Sequence, residues 1–587
     1  KSYEEILKDS KNTIDYDHQN ELLIDERKKE IGIDGSLVFN NKSEIHHVNF
    51  IEKILATLLS KVSNFVPEGG IWMNTQRPEW NDANNALVGN GISMVTLYYL
   101  RRFIDFFNSL LEKTDLISVE ISSELNKFFN DISFALNENK KVLDLSISDL
   151  DRKKIVDLLG KAGSNYRDTI YDNSFSGMKS AIGIKEIKEL LQLLLNYIDH
   201  SIDSNKRSDK LYHAYNLLTI ENDKISISNL PEMLEGQVAV LSSGYLSSEE
   251  NLEVLDALKS SKLFRDDQYS YILYPNKNLG LFLNKNNIPS SKVNESKLLK
   301  KLLNDGNNQI VSQDCEGAYH FNCDFNNANG LVSELNLLPK KYNELVNNEY
   351  NSILEIFEDV FNHKEFTGRS GTFFGYEGLG SIYWHMVSKL SLAVLETTKK
   401  AISEKDSNII GRFFDHYFEI LEGIGVNKSP KLYGAFPTDP YSHTPEGKGA
   451  QQPGMTGQVK EDVISRFGEL GVEVSNGTIS FNPEMLRNQE FLTKNETFRY
   501  VNLSKENIEI DVNKNSLCFT YCQVPIIYTK SSSKKITIDF IDGRSVSIQG
   551  NELDIDSSRS LFDRENIIKK INVSIIKWYL KKYISSQ

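Results

Sequence analysis

Apolar residues recur at helical spacing through most of the chain and at strand spacing only towards its end. Ile51, Ile54, Leu55, Leu58, Leu59 and Val62 fall on one face of a helix predicted over residues 50–66. Residues 93–111 are almost continuously apolar and aromatic (Met94, Val95, Leu97, Tyr98, Tyr99, Leu100, Phe103, Phe106, Phe107), which predicts a helix buried between neighbours. Helical periodicity continues through 115–220, clearest over 184–202, and returns over 342–361, 381–395 and 409–421. Ahead of residue 50 the pattern is polar, with short charged helices expected over 3–7 and 20–31. From about 225 to 330 the signals mix: 236–241 and 269–274 read as strands around a helix at 247–258, an α/β insertion. Beyond Glu473 the period changes to two, predicting strands over 478–481, 508–512, 516–521, 524–528, 535–541 and 545–548, closed by an apolar segment at 567–584. No repeat of 20 to 50 residues is visible. The expected division is a charged helical segment at 1–49, two helical parts at 50–224 and 336–435 separated by the insertion at 225–335, and a loop followed by β structure at 436–587.

Composition narrows the class. With 587 residues and 40% hydrophobic side chains, the chain is long and apolar enough for a sizeable core. The balance of 67 basic against 81 acidic residues gives −14, and so acidic a surface repels phosphate backbones; nucleic acid is not an expected partner. No apolar run approaches the ~20 residues that span a bilayer, and the polar start has no apolar leader; no membrane partner and a cytoplasmic location are expected. Cys315, Cys323, Cys518 and Cys522 are too few for a disulfide scaffold. Cys518 and Cys522 read as one face of a strand with no further soft ligands beside them, so no metal site is expected.

Three segments carry candidate chemistry. The first, Gly69-Gly-Ile-Trp-Met-Asn-Thr-Gln-Arg-Pro-Glu-Trp-Asn-Asp, sets Glu79 and Asp82 beside Trp72 and Trp80 at the mouth of the apolar helix. Indole faces stack on sugar CH surfaces, amides bind hydroxyls, and a carboxyl among apolar rings keeps its proton at neutral pH. Asp82 equally suits a helix N-cap. The second, Gly368-Arg-Ser-Gly-Thr-Phe-Phe-Gly-Tyr-Glu-Gly-Leu-Gly, lets backbone amides approach a ligand, with Arg369, Ser370 and Thr372 able to bind an oxyanion. Its spacing is not that of a nucleotide-binding loop. His385, just after it, reads as a satisfied core histidine or as a functional one. The third, from Pro437 to Asp462, gathers His443, Gln452, Thr456 and Gly457 in a donor-rich loop too elaborate for a plain connector. His18, His46 and His47 lie in the polar amino-terminal stretch and read as solvated; His213, and Glu316 with His320, are of metal-ligand type, but nothing completes a site around them. Serine-hydrolase and zincin signatures do not occur.

Together, the Trp-Asn-Asp run opening an apolar helix, and Gly-Met-Thr-Gly-Gln-Val followed by a Glu-Leu-Gly turn into β structure, resemble the inverting disaccharide and oligosaccharide phosphorylases, the group of cellobiose and chitobiose phosphorylases. The resemblance covers roughly 50–110 and 365–550. It implies a mainly α fold, an (α/α)6 toroid in complete or incomplete form, with the α/β insertion and a C-terminal β-sandwich. It implies Asp82 as the acid that protonates the glycosidic oxygen, with Trp72, Arg77, Glu79, Trp80, Asn81, Tyr376 and Glu377 contacting sugar. Glu79 stands where the family has aspartate. Arg369, His385, His443, Gln452, Thr456 and Gly457 would contact phosphate, the co-substrate, and no other cofactor is implied.

The activity so implied is cleavage of a β-linked di- or oligoglucoside with inversion, most simply by phosphorolysis to a sugar 1-phosphate. An inverting hydrolase is the alternative and would need a base ~6.5–9.5 Å from the acid, for which Glu377, Asp439 and Glu461 are candidates. A non-catalytic carbohydrate-binding subunit is the other alternative. A complete phosphorylase of this kind carries more chain before its acid motif. The resemblance therefore leads us to expect a fragment of a larger enzyme, a chain completed by a partner, or a degenerate relative; the expected partners are an oligosaccharide and either a second copy or an amino-terminal portion of the same polypeptide.

Overall fold

A computed structural model describes residues 1–10, 12–74, 87, 89–275, 285–361, 382–405, 407–424, 428–429, 431, 443–444 and 458–576. About 50% of the structure is helical and 21% is strand, spread over several sheets. The expectation of a mainly α fold is therefore corrected, and an (α/α)6 toroid is not shown. The reason lies in the strands that sequence periodicity passed over, which are short and run directly into helices. Gly91–Ser93 leads into the helix Met94–Leu111, Ser118–Ser122 into Ser123–Glu138, Lys179–Gly183 into Ile184–Ser204, and Ile382–Tyr383 into Trp384–Glu404. At such junctions the last strand residue also becomes the helix cap: Ser93 Oγ accepts the amide of Thr96.

The chain forms two compact units. One comprises Lys1–Tyr245, Ser260–Leu263 and Ile272–Ser381; the other comprises Leu246–Lys259, Phe264–Tyr271 and Ile382–Gln587.

In the first unit an antiparallel sheet orders its strands Phe65–Val66, Gly70–Trp72, Gly91–Ser93, Tyr215–Ile220 and Ile225–Asn229. Gly70 has φ +125°, and a Cβ there would stand 2.6 Å from the Ser93 carbonyl oxygen, so close strand approach demands glycine. Buried basic groups in this unit are answered by carboxylates. Arg152, 5% exposed, bonds Glu68 at 2.6 Å and also holds the carbonyls of Pro67, Ile147 and Ile225. Lys153 reaches Asp157 at 2.6 Å. Glu52, 3% exposed, accepts the Ser122 amide and the Lys179 ammonium. The helix Met94–Leu111 differs from the expected fully buried element. Tyr98, Ile104 and Phe107 are buried, whereas Tyr99, Phe103, Phe106 and Leu110 line an exposed face. The segment at 236–241, read as a strand from its Val-Ala-Val run, is the wholly buried helix Leu234–Leu241. Residues 288–361 enclose a core of their own, in which Phe321, Phe325, Phe357 and Phe361 pack ring against ring under the helices Lys297–Asn304 and Asn343–Phe361.

In the second unit the helices Trp384–Glu404, Ser407–Glu422 and Gln458–Glu469 pack together. Tyr417, fully buried, donates to Glu469, which also pairs with Arg466. The expected strands are there, but the arrangement corrects the sandwich. Among the described residues they form one five-stranded sheet, in the order Ser516–Tyr521, Val524–Ser531, Ile568–Ile576, Lys535–Phe540, Ser545–Gln549, beside two-stranded ribbons. Ile568–Ile576 runs parallel to Val524–Ser531 and antiparallel to Lys535–Phe540. Cys522 does not continue the strand of Cys518; it lies in the two-residue turn joining the first hairpin.

That turn places Cys522 (φ 48°) and Gln523 (φ 64°) in the left-handed region, a hairpin geometry that favours Asn-Gly. Gln523→Gly is therefore expected to stabilise the sheet by about 1 kcal/mol. Urea unfolding monitored in the β region checks this, and an unchanged or lower midpoint would show that the turn carries no strain.

Candidate functional site

In sequence, the candidate acid segment connects two neighbouring strands of the first unit, Gly70–Trp72 and Gly91–Ser93. Trp72 pairs with Ile92, Met73 donates its amide to Gly91, and Gly89 donates back to Met73 at 2.7 Å. These bonds clamp both ends of the connection that carries Arg77, Glu79, Trp80, Asn81 and Asp82, residues that themselves lie outside the described set. Because Ser93 caps Met94–Leu111, that helix does not take Asp82 as its N-cap. Trp72 is 3% exposed; its ring packs among Tyr3, Ile6, Val66 and Ile92, and its indole N–H donates to Gly89 at 2.9 Å. It thus anchors the base of the loop.

In the second unit the structure brings two candidate phosphate contacts to one place. The strand Ile382–Tyr383 pairs antiparallel with His443–Thr444, setting His443 opposite Tyr383. Two residues on, His385 occupies the first turn of the helix Trp384–Glu404, its ring tilted against Tyr383 at 5.2 Å. The cap position, Tyr383, offers no side-chain acceptor to that helix start. Burial, and then the charges of Lys389 and Lys460, hold the His385 imidazole below its usual pKa. The hairpin of Phe264–Arg265 and Ser270–Tyr271 packs beside the Ile382–Tyr383 strand. It supplies Arg265, which forks onto Asp267 at 2.7 and 2.6 Å, and Gln268. Gln268 Oε1 accepts from Lys428 Nζ at 3.3 Å, and the same ammonium stands 5.1 Å from the centre of the Trp384 ring.

Sequence reasoning missed Arg265, Gln268 and Lys428. Their stretches contain no motif, and nothing in Asn-Lys-Ser-Pro-Lys announces that its first lysine is 7% exposed. Of the candidate bases, Glu461 is described: it lies in the first turn of Gln458–Glu469, 5% exposed, with Lys460 Nζ 3.7 Å away and its buried Oε2 without a hydrogen bond among the described residues. Arg369, Ser370, Thr372, Tyr376, Glu377, Asp439, Gln452, Thr456 and Gly457 lie outside the described residues. Three other described histidines have local structural partners. His46 bonds Ser122, His213 the Leu230 carbonyl, and His320 both Asp314 and the Asn286 carbonyl. Among the described residues no group of three or more His, Cys, Asp or Glu side chains is placed to hold a metal ion, and no helix is long and apolar enough to cross a membrane. Cys518 is half-buried, its thiol pushed up to about 12 by burial.

Comparison with known families adds one finding. Residues 279–364 match the model described as GH149 phosphorylase insertion domain 2. The match points to a GH149-type phosphorylase. It falls outside the stretches that carry the Trp-Asn-Asp and Gly-Met-Thr-Gly resemblance, so two separate parts of the chain lead to the same broad family, glycoside phosphorylases. The described part of the matched stretch is the body whose core runs from Ile288 to Phe361. No curated protein matches the chain.

The lowered His385 pKa has a definite sign in stability. The folded state binds the proton less well than the unfolded chain, so the contribution is fully present above the ordinary value of 6.5 and is lost as pH falls through the folded value. Histidine NMR titration of the full chain should place His385 below 6.5, and His385→Gln should flatten that part of the acid unfolding curve. A measured value at or above 6.5 would contradict the buried, cation-flanked environment.

Proposed function

We propose that this chain is a glycoside phosphorylase that cleaves a β-linked di- or oligoglucoside with inversion, using inorganic phosphate as its nucleophile and needing no other cofactor. The observation that carries the reading is the GH149 phosphorylase match at 279–364, taken with the Trp-Asn-Asp run elsewhere in the chain. In this reading a phosphate oxygen attacks the anomeric carbon from the face opposite the leaving group. As that bond forms, the glycosidic C–O bond breaks and Asp82 gives its proton to the departing oxygen. The proton brought by hydrogen phosphate restores the acid, and the products are a sugar 1-phosphate and a shortened acceptor. Phosphate replaces activated water, so no second catalytic carboxylate is required.

Sugar contacts are assigned to Arg77, Glu79, Trp80, Asn81, Tyr376 and Glu377, while Trp72, 3% exposed, packs in the core at the end of the preceding strand. Phosphate contacts are assigned to Arg369, His385, His443, Gln452, Thr456 and Gly457. What supports the grouping of the two histidines is the pairing of Tyr383 with His443. A cytoplasmic location suits this chemistry, since a charged sugar phosphate is retained where it is made. A second copy of the chain is proposed as its partner.

Phosphorolysis predicts release of a sugar 1-phosphate from β-gluco-oligosaccharides only when phosphate is supplied, with the α configuration at the new bond. Asp82→Asn should lower kcat about 10³-fold while largely keeping oligosaccharide affinity, because amide and carboxyl are near-isosteric. Kinetics with a coupled sugar-phosphate assay and NMR of the product check both points. Unchanged turnover in Asp82→Asn would remove the acid, and cleavage independent of phosphate would make the protein a hydrolase.

A further inference from the structure

Four basic residues among the described ones are buried: Arg152, Lys153, Arg265 and Lys428. Three of them are answered at hydrogen-bond distance by a carboxylate, Arg152 by Glu68, Lys153 by Asp157 and Arg265 by Asp267. Lys428 is the exception. At 7% exposure its ammonium has the neutral amide oxygen of Gln268 at 3.3 Å and the face of Trp384 at 5.1 Å, and no carboxylate among the described residues pairs with it. An ammonium taken from water without a counter-charge is costly, and a cation–π contact offsets only part of that cost.

The surroundings make the imbalance worse. Arg265 lies close enough to act on Lys428, and Asp267, the one neighbouring carboxylate that acts the other way, is already forked onto Arg265. Trp384 is the first residue of a 21-residue helix, so the positive end of the helix dipole faces the same neighbourhood. A cation at a helix start is the reverse of the favourable arrangement. Among the described charged residues that act on Lys428, Asp267 is the one that favours its charge.

We propose that Lys428 is an anion-binding residue of the second unit that takes a phosphate group, free or as part of a sugar 1-phosphate, beside Trp384 at the helix start that carries His385. The assignment rests on the phosphorolysis reading and adds a charged residue to the phosphate contacts. Burial and Arg265 hold the Lys428 ammonium down at about 8 while no anion is present, and a bound phosphate would reverse that shift.

Calorimetric titration of the full chain with inorganic phosphate, and separately with glucose 1-phosphate, tests the assignment. Lys428→Met should weaken phosphate at least about 10-fold, the loss of one buried charge-assisted contact, and leave oligosaccharide affinity unchanged; Lys428→Arg should stay within a few-fold of the parent. Binding of glucose 1-phosphate but not free phosphate would place the product's group there rather than the co-substrate. Should Lys428→Met fail to fold, NMR of ¹³C-labelled lysine side chains in the unsubstituted protein replaces it, with Lys428 expected to titrate higher in saturating phosphate. Equal phosphate affinity in Lys428→Met, or a Lys428 titration that phosphate does not move, would overturn the proposal even if phosphorolysis is observed. Phosphate bound at Lys428 in a protein that makes no sugar phosphate would instead support the anion site and remove the phosphorolysis reading.

Discussion

Backbone groups buried without water must find partners, and in this chain that requirement is met repeatedly by a short strand pair placed at the start of a helix. Everything proposed about the site depends on it. The pairing of Trp72 with Ile92 closes the base of the acid-bearing connection, just ahead of the helix Met94–Leu111. The pairing of Tyr383 with His443 does the same at the helix Trp384–Glu404, and it joins two loops that are far apart in sequence. In each case a strand too short to be stable alone fixes where a helix begins and where a loop assigned to the proposed site is tied down. Loops held in this way can vary in composition without disturbing the scaffold.

Electrostatics separates the buried charges that serve the scaffold from the one that we assign to anion binding. Arg152, with Glu68 and three carbonyl oxygens around it, is a closed network, and removing one partner would leave a stranded charge. Lys428 is stacked and hydrogen-bonded, and no carboxylate among the described residues pairs with it. Its setting contrasts with a chain whose net charge is −14. A buried cation in an acidic protein favours small anions, while the surface as a whole repels polyanions.

The sequence made some of this plain and hid the rest for identifiable reasons. The strands at 478–481 and 516–521 and the helix ending at Phe361 were legible because each carries many residues of one period. The strands Ser118–Ser122 and Lys179–Gly183 were not, since each merges with the helix that follows and the longer period dominates the window. Val238-Ala-Val-Leu misled because β-branched residues suit strands, while total burial lets tertiary packing override that preference. The candidate site was legible as motifs but not as geometry: Trp72 looked like a sugar platform until its burial was seen, and the nearness of His443 to His385 needed the strand pairing. Lys428 was invisible because a lysine between Asn and Ser-Pro looks solvated, and only packing takes it out of water.

The family match and the acid motif occupy different parts of the chain, and what joins them is the claim that phosphate attacks the sugar. Phosphorus NMR of the protein incubated with β-gluco-oligosaccharides and inorganic phosphate addresses that claim directly. Phosphorolysis predicts that the inorganic phosphate signal declines as a phosphomonoester signal grows, in step with shortening of the oligosaccharide. Oligosaccharide cleavage with the inorganic phosphate signal undiminished would contradict it.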